Sequence, residues 1–369
     1  MGKPVISLLF SLFISLFAFG QAKLDSLLPI RGLCIAAPDK ENIDPFVAFI
    51  KNELVPKKVN TLVLRIDYNY EFTSHPELRS DHPLSRKDVK KIVAACKEGH
   101  IRVIPQINLL GHQSWFGNVG KLLKVYPQFN ETPWVPVDSL PADTKWPNPW
   151  GLYCLSYCPL HPDLHKIIFD VIDEIVNVFE ADAFHAGMDE VFYLGDDRCP
   201  RCSGRDKAEL FAGEVTTLRN HLAEKGVELW IWGDRLIDGK TTGIGIWAAS
   251  FNNTYRAIDM IPKDVIINDW QYNRPNPTAV LFALKGFKVV TCPYRNAEVA
   301  KKQLEMIIGF REGATKTTRD NYYGMMQTVW SPAPGFLDEY YGRREVTDQH
   351  GSAAKCFKEL YEEIDKLGD

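Results

Sequence analysis

Segments with strand character and segments with helical spacing alternate along this chain from residue 30 to its end. The strand candidates are short runs rich in β-branched and aromatic residues, over 31–35, 61–66, 101–107, 183–188, 228–232, 265–269, 287–291 and 323–329. Several are apolar on both faces, as strands of a covered parallel sheet must be. Between them the spacing predicts helices over 45–54, 85–98, 162–179, 206–225, 277–285, 297–312 and 346–367, with a weaker one over 255–261. Ser85-x-x-Asp88 has the pattern of a capping box. Gly99 and Gly226 stand where C-cap glycines belong. Strict alternation implies a parallel sheet, and eight repeats imply closure into a single (β/α)8 TIM barrel over 30–369. An open doubly wound sheet is the alternative, but no glycine-rich dinucleotide loop follows the first strand.

The N-terminus has a different character. Lys3 precedes an apolar run from Val5 to Phe19, which ends in Ala18-Phe19-Gly20. This is the pattern of a secretory signal peptide over 1–20, so the protein is expected to be exported to the periplasm or medium. The run is shorter than the ~20 residues that span a bilayer, so no stable membrane insertion is expected after its removal. A formal net charge of -4 without any basic run excludes a nucleic-acid partner. Nothing in the sequence sets an oligomeric state.

Active sites of such barrels lie at the C-terminal ends of the strands. Those ends carry Asp67, His112, Asp189, Glu190, Asp234, Asp269, Trp270, Tyr294 and Trp330. Carboxylates and aromatic rings converging on one mouth are the makeup of a sugar site: rings cover the apolar faces of a pyranose while carboxylates bind hydroxyls and move protons. A glycan is therefore the expected partner. One connection, from Gln113 to Pro159, is long, proline-rich and carries Trp115, Trp134, Trp146 and Trp150. A loop of that length is usually functional, and it should overhang the catalytic face.

Asp189 and Glu190 are the sharpest element. Adjacent carboxylates repel, so one should keep its proton to higher pH and supply a general acid beside an ionised partner. With Cα atoms only about 3.8 Å apart, they are poorly placed to straddle an anomeric carbon as an acid and an opposed nucleophile do. An acid beside a helper fits better.

His185-Ala186-Gly187-Met188-Asp189-Glu190 resembles the His-x-Gly-Gly-Asp-Glu signature of the family 20 glycoside hydrolases, the β-N-acetylhexosaminidases. Arg31-Gly32, Asp67 with His75-Pro76-Glu77-Leu78, Gly111-His112, Trp232-Gly233-Asp234, Trp270, Tyr294 and Trp330 are similar to further family positions in the same order. The resemblance implies that Arg31 holds sugar hydroxyls and that Asp67, His112, His185, Trp232, Trp270, Tyr294 and Trp330 complete the sugar site. It also implies that the substrate's acetamido oxygen is the nucleophile, with Asp189 as its helper and Glu190 as acid and later base; no cofactor serves the chemistry. Met188 departs from the signature's second glycine. Arg295-Asn296 and Ser331-Pro332 stand where the family usually has acids, so the far side of the sugar subsite is expected to differ. The small domain usual before the barrel is expected to be missing. Two other readings stay open: a carbohydrate-binding barrel without turnover, and a conventional retaining glycosidase pairing Glu190 with Asp269 or Asp234.

Cys34, Cys96, Cys292 and Cys356 fall inside predicted elements, where a thiol is a small apolar group. Cys154-x3-Cys158 and Cys199-x2-Cys202 fall in loops. Their spacing predicts either a four-thiolate structural zinc or disulfides bracing two adjacent loops.

Overall fold

The computed structural model describes residues 22–115, 117–139, 152–346 and 351–368. The expected signal peptide, Trp146 and Trp150 lie outside these residues. A short helix at 22–27 leads into eight parallel strands. They are β1 (Ile30–Ala36), β2 (Thr61–Arg65), β3 (Arg102–Leu109), β4 (Ala183–Gly187), β5 (Glu228–Trp232), β6 (Ile266–Trp270), β7 (Val289–Cys292) and β8 (Tyr322–Thr328). Each pairs with its sequence neighbours, and β8 returns to β1 through Ile30↔Gly324 to close the barrel.

The apolar run within each strand divides between two compartments. Cys34, Val63, Ile104, Trp230, Trp232, Ile266, Val290 and Met326 fill the lumen. Leu33, Ile35, Leu62, Leu64, Ile231 and Ile267 face the surrounding helices. Successive side chains point to opposite faces, so both compartments draw on the same short runs. The helix Arg86–Glu98 begins at Ser85, whose hydroxyl accepts from the Asp88 N–H while Asp88 accepts from the Ser85 N–H. Cys34, Cys96, Cys292 and Cys356 are buried, as expected.

Some helices differ from their predicted form. The first runs as an α-helix over Ile43–Phe49 and widens into a π-turn over Ile50–Leu54. The weak segment near 255 is a 3-10 helix, Thr254–Asp259. The last region holds two helices, Ala333–Tyr340 and Ala353–Lys366, of which only the second was anticipated. Pro334, in the first turn of the earlier one where the missing N–H has no helical partner to lose, is compatible with its initiation. Among the described residues no helix is long and apolar enough to cross a membrane.

Candidate active site

The strand ends that hold the site are backbone turns of unusual shape. Gly187, Met188 and Glu190 all have φ between +49° and +68°, and Leu110 and His112 on the neighbouring turn have φ of +58° and +51°. Side-chain-bearing residues rarely adopt this region, and its cost collects at functional sites. The turns also touch. A Cβ on Gly111 would lie 2.2 Å from the Asp189 carbonyl oxygen, so only glycine lets the β3 turn press against the β4 turn. Beneath them, His185 Nδ1 accepts from the Gly187 N–H at 3.0 Å. Burial pushes the pKa of that histidine down to about 3, so it is neutral.

This geometry brings His112 onto both carboxylates. Its Nε2 lies 3.1 Å from Asp189 Oδ2 and 3.1 Å from Glu190 Oε2. Burial alone would lower the His112 pKa, but the Asp189 charge and neighbouring partners lift it well above 6.5. Burial alone would raise Asp189, yet His112 holds it below its ordinary 3.8. The repulsion anticipated between the adjacent acids is thus relieved by an imidazolium beside both.

Glu190 gains two further partners from the long loop after β3. The Tyr153 hydroxyl donates to Glu190 Oε2, and the Cys154 thiol lies 3.4 Å from the same oxygen and 3.3 Å from His112 Nδ1. From the turn after β5, Asp234 Oδ2 accepts from the Glu190 backbone N–H at 3.0 Å. Asp234 is in turn held by Arg235 Nε at 2.6 Å, and Arg235 Nη2 donates to the Ile246, Trp247 and Ala249 carbonyls. One buried ion pair therefore fixes both the Asp189-Glu190 turn and the 246–249 wall.

Above the carboxylates opens a cavity of about 870 Å³. His112, Asp189, Glu190, Trp270, Tyr294 and Trp330 line it, as expected. Its aromatic rim also includes Trp115, Trp247 and Tyr272, and Trp330 Nε1 donates to the Tyr272 hydroxyl at 2.8 Å. The far side carries Arg274, Arg295, Asn273, Asn276 and Asn296.

Four expected sugar contacts do not line the cavity. Arg31 sits at the beginning of β1, at the opposite end of the barrel, bound to Asp25 and to the Leu28 and Lys58 carbonyls. Its place in the strand, not its identity, decides this. Asp67 Oδ1 accepts from the Asn108 N–H and braces the end of β3. His185 and Trp232 are fully buried against each other, 4.5 Å between ring centres, and support the floor and Trp330 from below.

The cysteine expectation is also corrected. Cys154 joins His112 and Glu190, whereas Cys158, Cys199 and Cys202 meet Glu131 instead, and all are free thiols. In Cys154-x3-Cys158 the chain crosses from the cavity to the layer behind it, so the two thiols part. Tyr153, Cys154, Trp115 and Trp247 come from loops whose return to the mouth has no local signal beyond their aromatic content.

The model of the glycosyl hydrolase family 20 catalytic domain matches residues 63–333. The chain belongs to this family. Among family 20 relatives, a beta-hexosaminidase of Emericella nidulans is 25% identical over 235 residues, covering 59% of this chain and 36% of that protein. A lacto-N-biosidase of Bifidobacterium bifidum is 21% identical over 329 residues, covering 83% and 26% respectively. The chain thus spans about a third or less of these curated relatives. Solved structures share the barrel. The Flavobacterium johnsoniae chitobiase superposes with a TM-score of 0.60 at 17% identity, covering 92% of this chain and 51% of that one. A beta-N-acetylhexosaminidase gives 0.63 at 17% identity, covering 90% and 71%. Within the family 20 signature, Met188 takes the left-handed turn that a glycine would adopt without strain, and it is fully buried.

Proposed function

We propose that this family 20 barrel is an exported glycosidase for N-acetylhexosamine-containing glycans, working by substrate-assisted, retaining catalysis. One observation carries the mechanism: among the described residues lining the cavity, the carboxylates are Asp189 and Glu190 alone, side by side. A conventional retaining enzyme needs an opposed pair about 5–5.5 Å apart, flanking the bond. Asp234 is engaged by Arg235 and the Glu190 N–H, and Asp269 Oδ2 by the Thr278 hydroxyl at 2.7 Å. Neither lines the cavity, which argues against either as nucleophile.

In this reading Glu190 protonates the glycosidic oxygen while the acetamido oxygen attacks the anomeric carbon and the leaving group departs. Asp189, kept ionised by His112, stabilises the positive charge that grows on the acetamido nitrogen. Its Oδ1 finds no hydrogen-bond partner in another described residue, which suits acceptance from a substrate N–H. Glu190 then takes a proton from the water that opens the oxazolinium ion. The rim of Trp270, Tyr272 and Trp330 would hold the sugar faces. The cavity volume lies in the upper part of the range for ligand pockets and suits a short oligosaccharide. The far wall of arginines and amides favours a glycan that differs there from a plain terminal N-acetylhexosamine. A panel of aryl N-acetylhexosaminides and natural glycans tests the proposal. Hydrolysis of acetamido sugars is expected; binding without turnover across the panel would replace the enzyme by a carbohydrate-binding barrel.

A further inference from the structure

Behind the wall that presents Tyr153, three cysteines and one glutamate converge on a point away from the sugar cavity. Cys158 and Glu131 come from the long loop after β3, and Cys199 and Cys202 from the loop that follows Asp189-Glu190. All four are buried, and their potential ligand atoms lie within 4.8 Å of one another. Cys158 Sγ is 3.3 Å from Cys202 Sγ and 3.7 Å from Cys199 Sγ. Sulfurs bound tetrahedrally at ≈ 2.3 Å from one zinc ion stand about 3.8 Å apart.

Glu131 supplies the independent sign of a ligand. It is 1% exposed. Its Oε1 accepts from the Asp196 N–H at 3.1 Å, while Oε2 has no hydrogen-bond partner in normal geometry among the described residues. A buried carboxylate oxygen facing sulfur atoms is costly unless a cation or donor compensates it.

We propose that Glu131, Cys158, Cys199 and Cys202 form a closed tetrahedral zinc site. Three soft thiolates and one carboxylate in a compact tetrahedron suit Zn²⁺. On binding, each thiol gives its proton to solvent and no electrons move. The protein fills all four positions, so the ion has no open position for water and its work is to clamp. It ties the loop that delivers Tyr153 and Cys154 to the loop that leaves Asp189 and Glu190. A Cys158–Cys202 disulfide is the rival, reached only by two-electron oxidation by an external oxidant, and it would leave Glu131 Oε2 uncompensated beside the Cys199 thiol.

The inference stands apart from the glycosidase reading, because its test counts metal. The intact chain, purified without a metal-binding tag, is analysed by plasma mass spectrometry and by intact mass under denaturing conditions. One zinc per chain with all eight cysteines of the sequence reduced is expected. Cys199→Ser and Cys202→Ser should lose the zinc, Glu131→Ala should weaken its retention against a chromophoric chelator at least tenfold, and Cys154→Ser should keep it. Should the cysteine variants fail to fold, Co²⁺ replacement in the unmodified chain gives the readout: tetrahedral d–d bands with thiolate-to-cobalt charge transfer are expected. A metal-free folded chain two hydrogens lighter, a reduced folded chain that takes up neither Zn²⁺ nor Co²⁺, or zinc lost only in Cys154→Ser would each overturn the site.

Discussion

His112 Nε2 stands 3.1 Å from Asp189 Oδ2, in a pair whose side chains are 12% and 7% exposed. Removing one partner of a buried ion pair costs about 3–5 kcal/mol, because the other charge is left uncompensated. The pair also sets a pH window. Asp189 has its pKa lowered from 3.8, so its contribution is full above that value and is lost as pH falls through the lowered one. His112 has its pKa raised well above 6.5, so the same interaction is full below 6.5 and is lost as pH rises through the raised value. Stability should therefore carry a plateau between the two ordinary values. Denaturant unfolding measured from acid to alkaline pH should show His112→Gln less stable on that plateau, with a flatter alkaline limb. An unchanged pH profile would refute the pairing.

Glu190→Gln should reduce turnover of natural glycosides by about 100- to 10,000-fold, the span typical of general acid–base catalysis. Aryl glycosides with good leaving groups need less proton donation and should suffer less in the first step. Steady-state kinetics on both substrate types, with the fold verified by circular dichroism, make the comparison. Near-normal rates on both would remove Glu190 from the role of acid.

Asp189→Asn should lower kcat far more than it raises KM, since in the proposed mechanism the charge it stabilises grows as the bond breaks and is absent from the bound substrate. A thiazoline mimic of the cyclic intermediate should inhibit the unmodified enzyme tightly and the variant weakly. A substrate with a hydroxyl in place of the acetamido group should barely react. Equal cleavage of that analogue, with a covalent adduct on Asp269 or Asp234, would establish a protein nucleophile instead.

Met188 poses a contest of magnitudes. Its φ of +66° is strained for a side-chain-bearing residue, at a cost on the order of 1–2 kcal/mol that glycine would relieve. Its side chain is fully buried in the core between the barrel and the helices, and truncating a buried Met costs about 2–5 kcal/mol. Packing wins, so Met188→Gly should destabilise the protein by about 1–3 kcal/mol in equilibrium unfolding. A stabilised variant would mean that backbone strain dominates at this turn.

Strand positions were legible because a strand covered on both sides must be apolar on both, and that run survives in the bare sequence. The 228–232 strand is found at its predicted bounds, and the others shift by one or two residues at their ends. The same reasoning placed Asp189, Glu190, His112, Trp270, Tyr294 and Trp330 at one mouth, because parallel strands in a barrel bring their C-terminal ends together whatever their distance in sequence. Arg31 shows the limit: identity suggested a sugar contact, whereas its position at the start of β1 put it at the other end.

The sequence alone therefore determined the barrel, the order of its strands and the adjacency of the two acids, all of which rest on local pattern and covalent connectivity. Tertiary structure decided that His112 stands beside both acids, that Tyr153 and Cys154 reach Glu190, and that Glu131 displaces Cys154 from the cysteine cluster. It also decided that His185 and Trp232 support the floor without lining the cavity. Such outcomes depend on where a long loop folds back and on which side of a turn each side chain emerges. Contacts between residues distant in the chain select both, and no local periodicity encodes them.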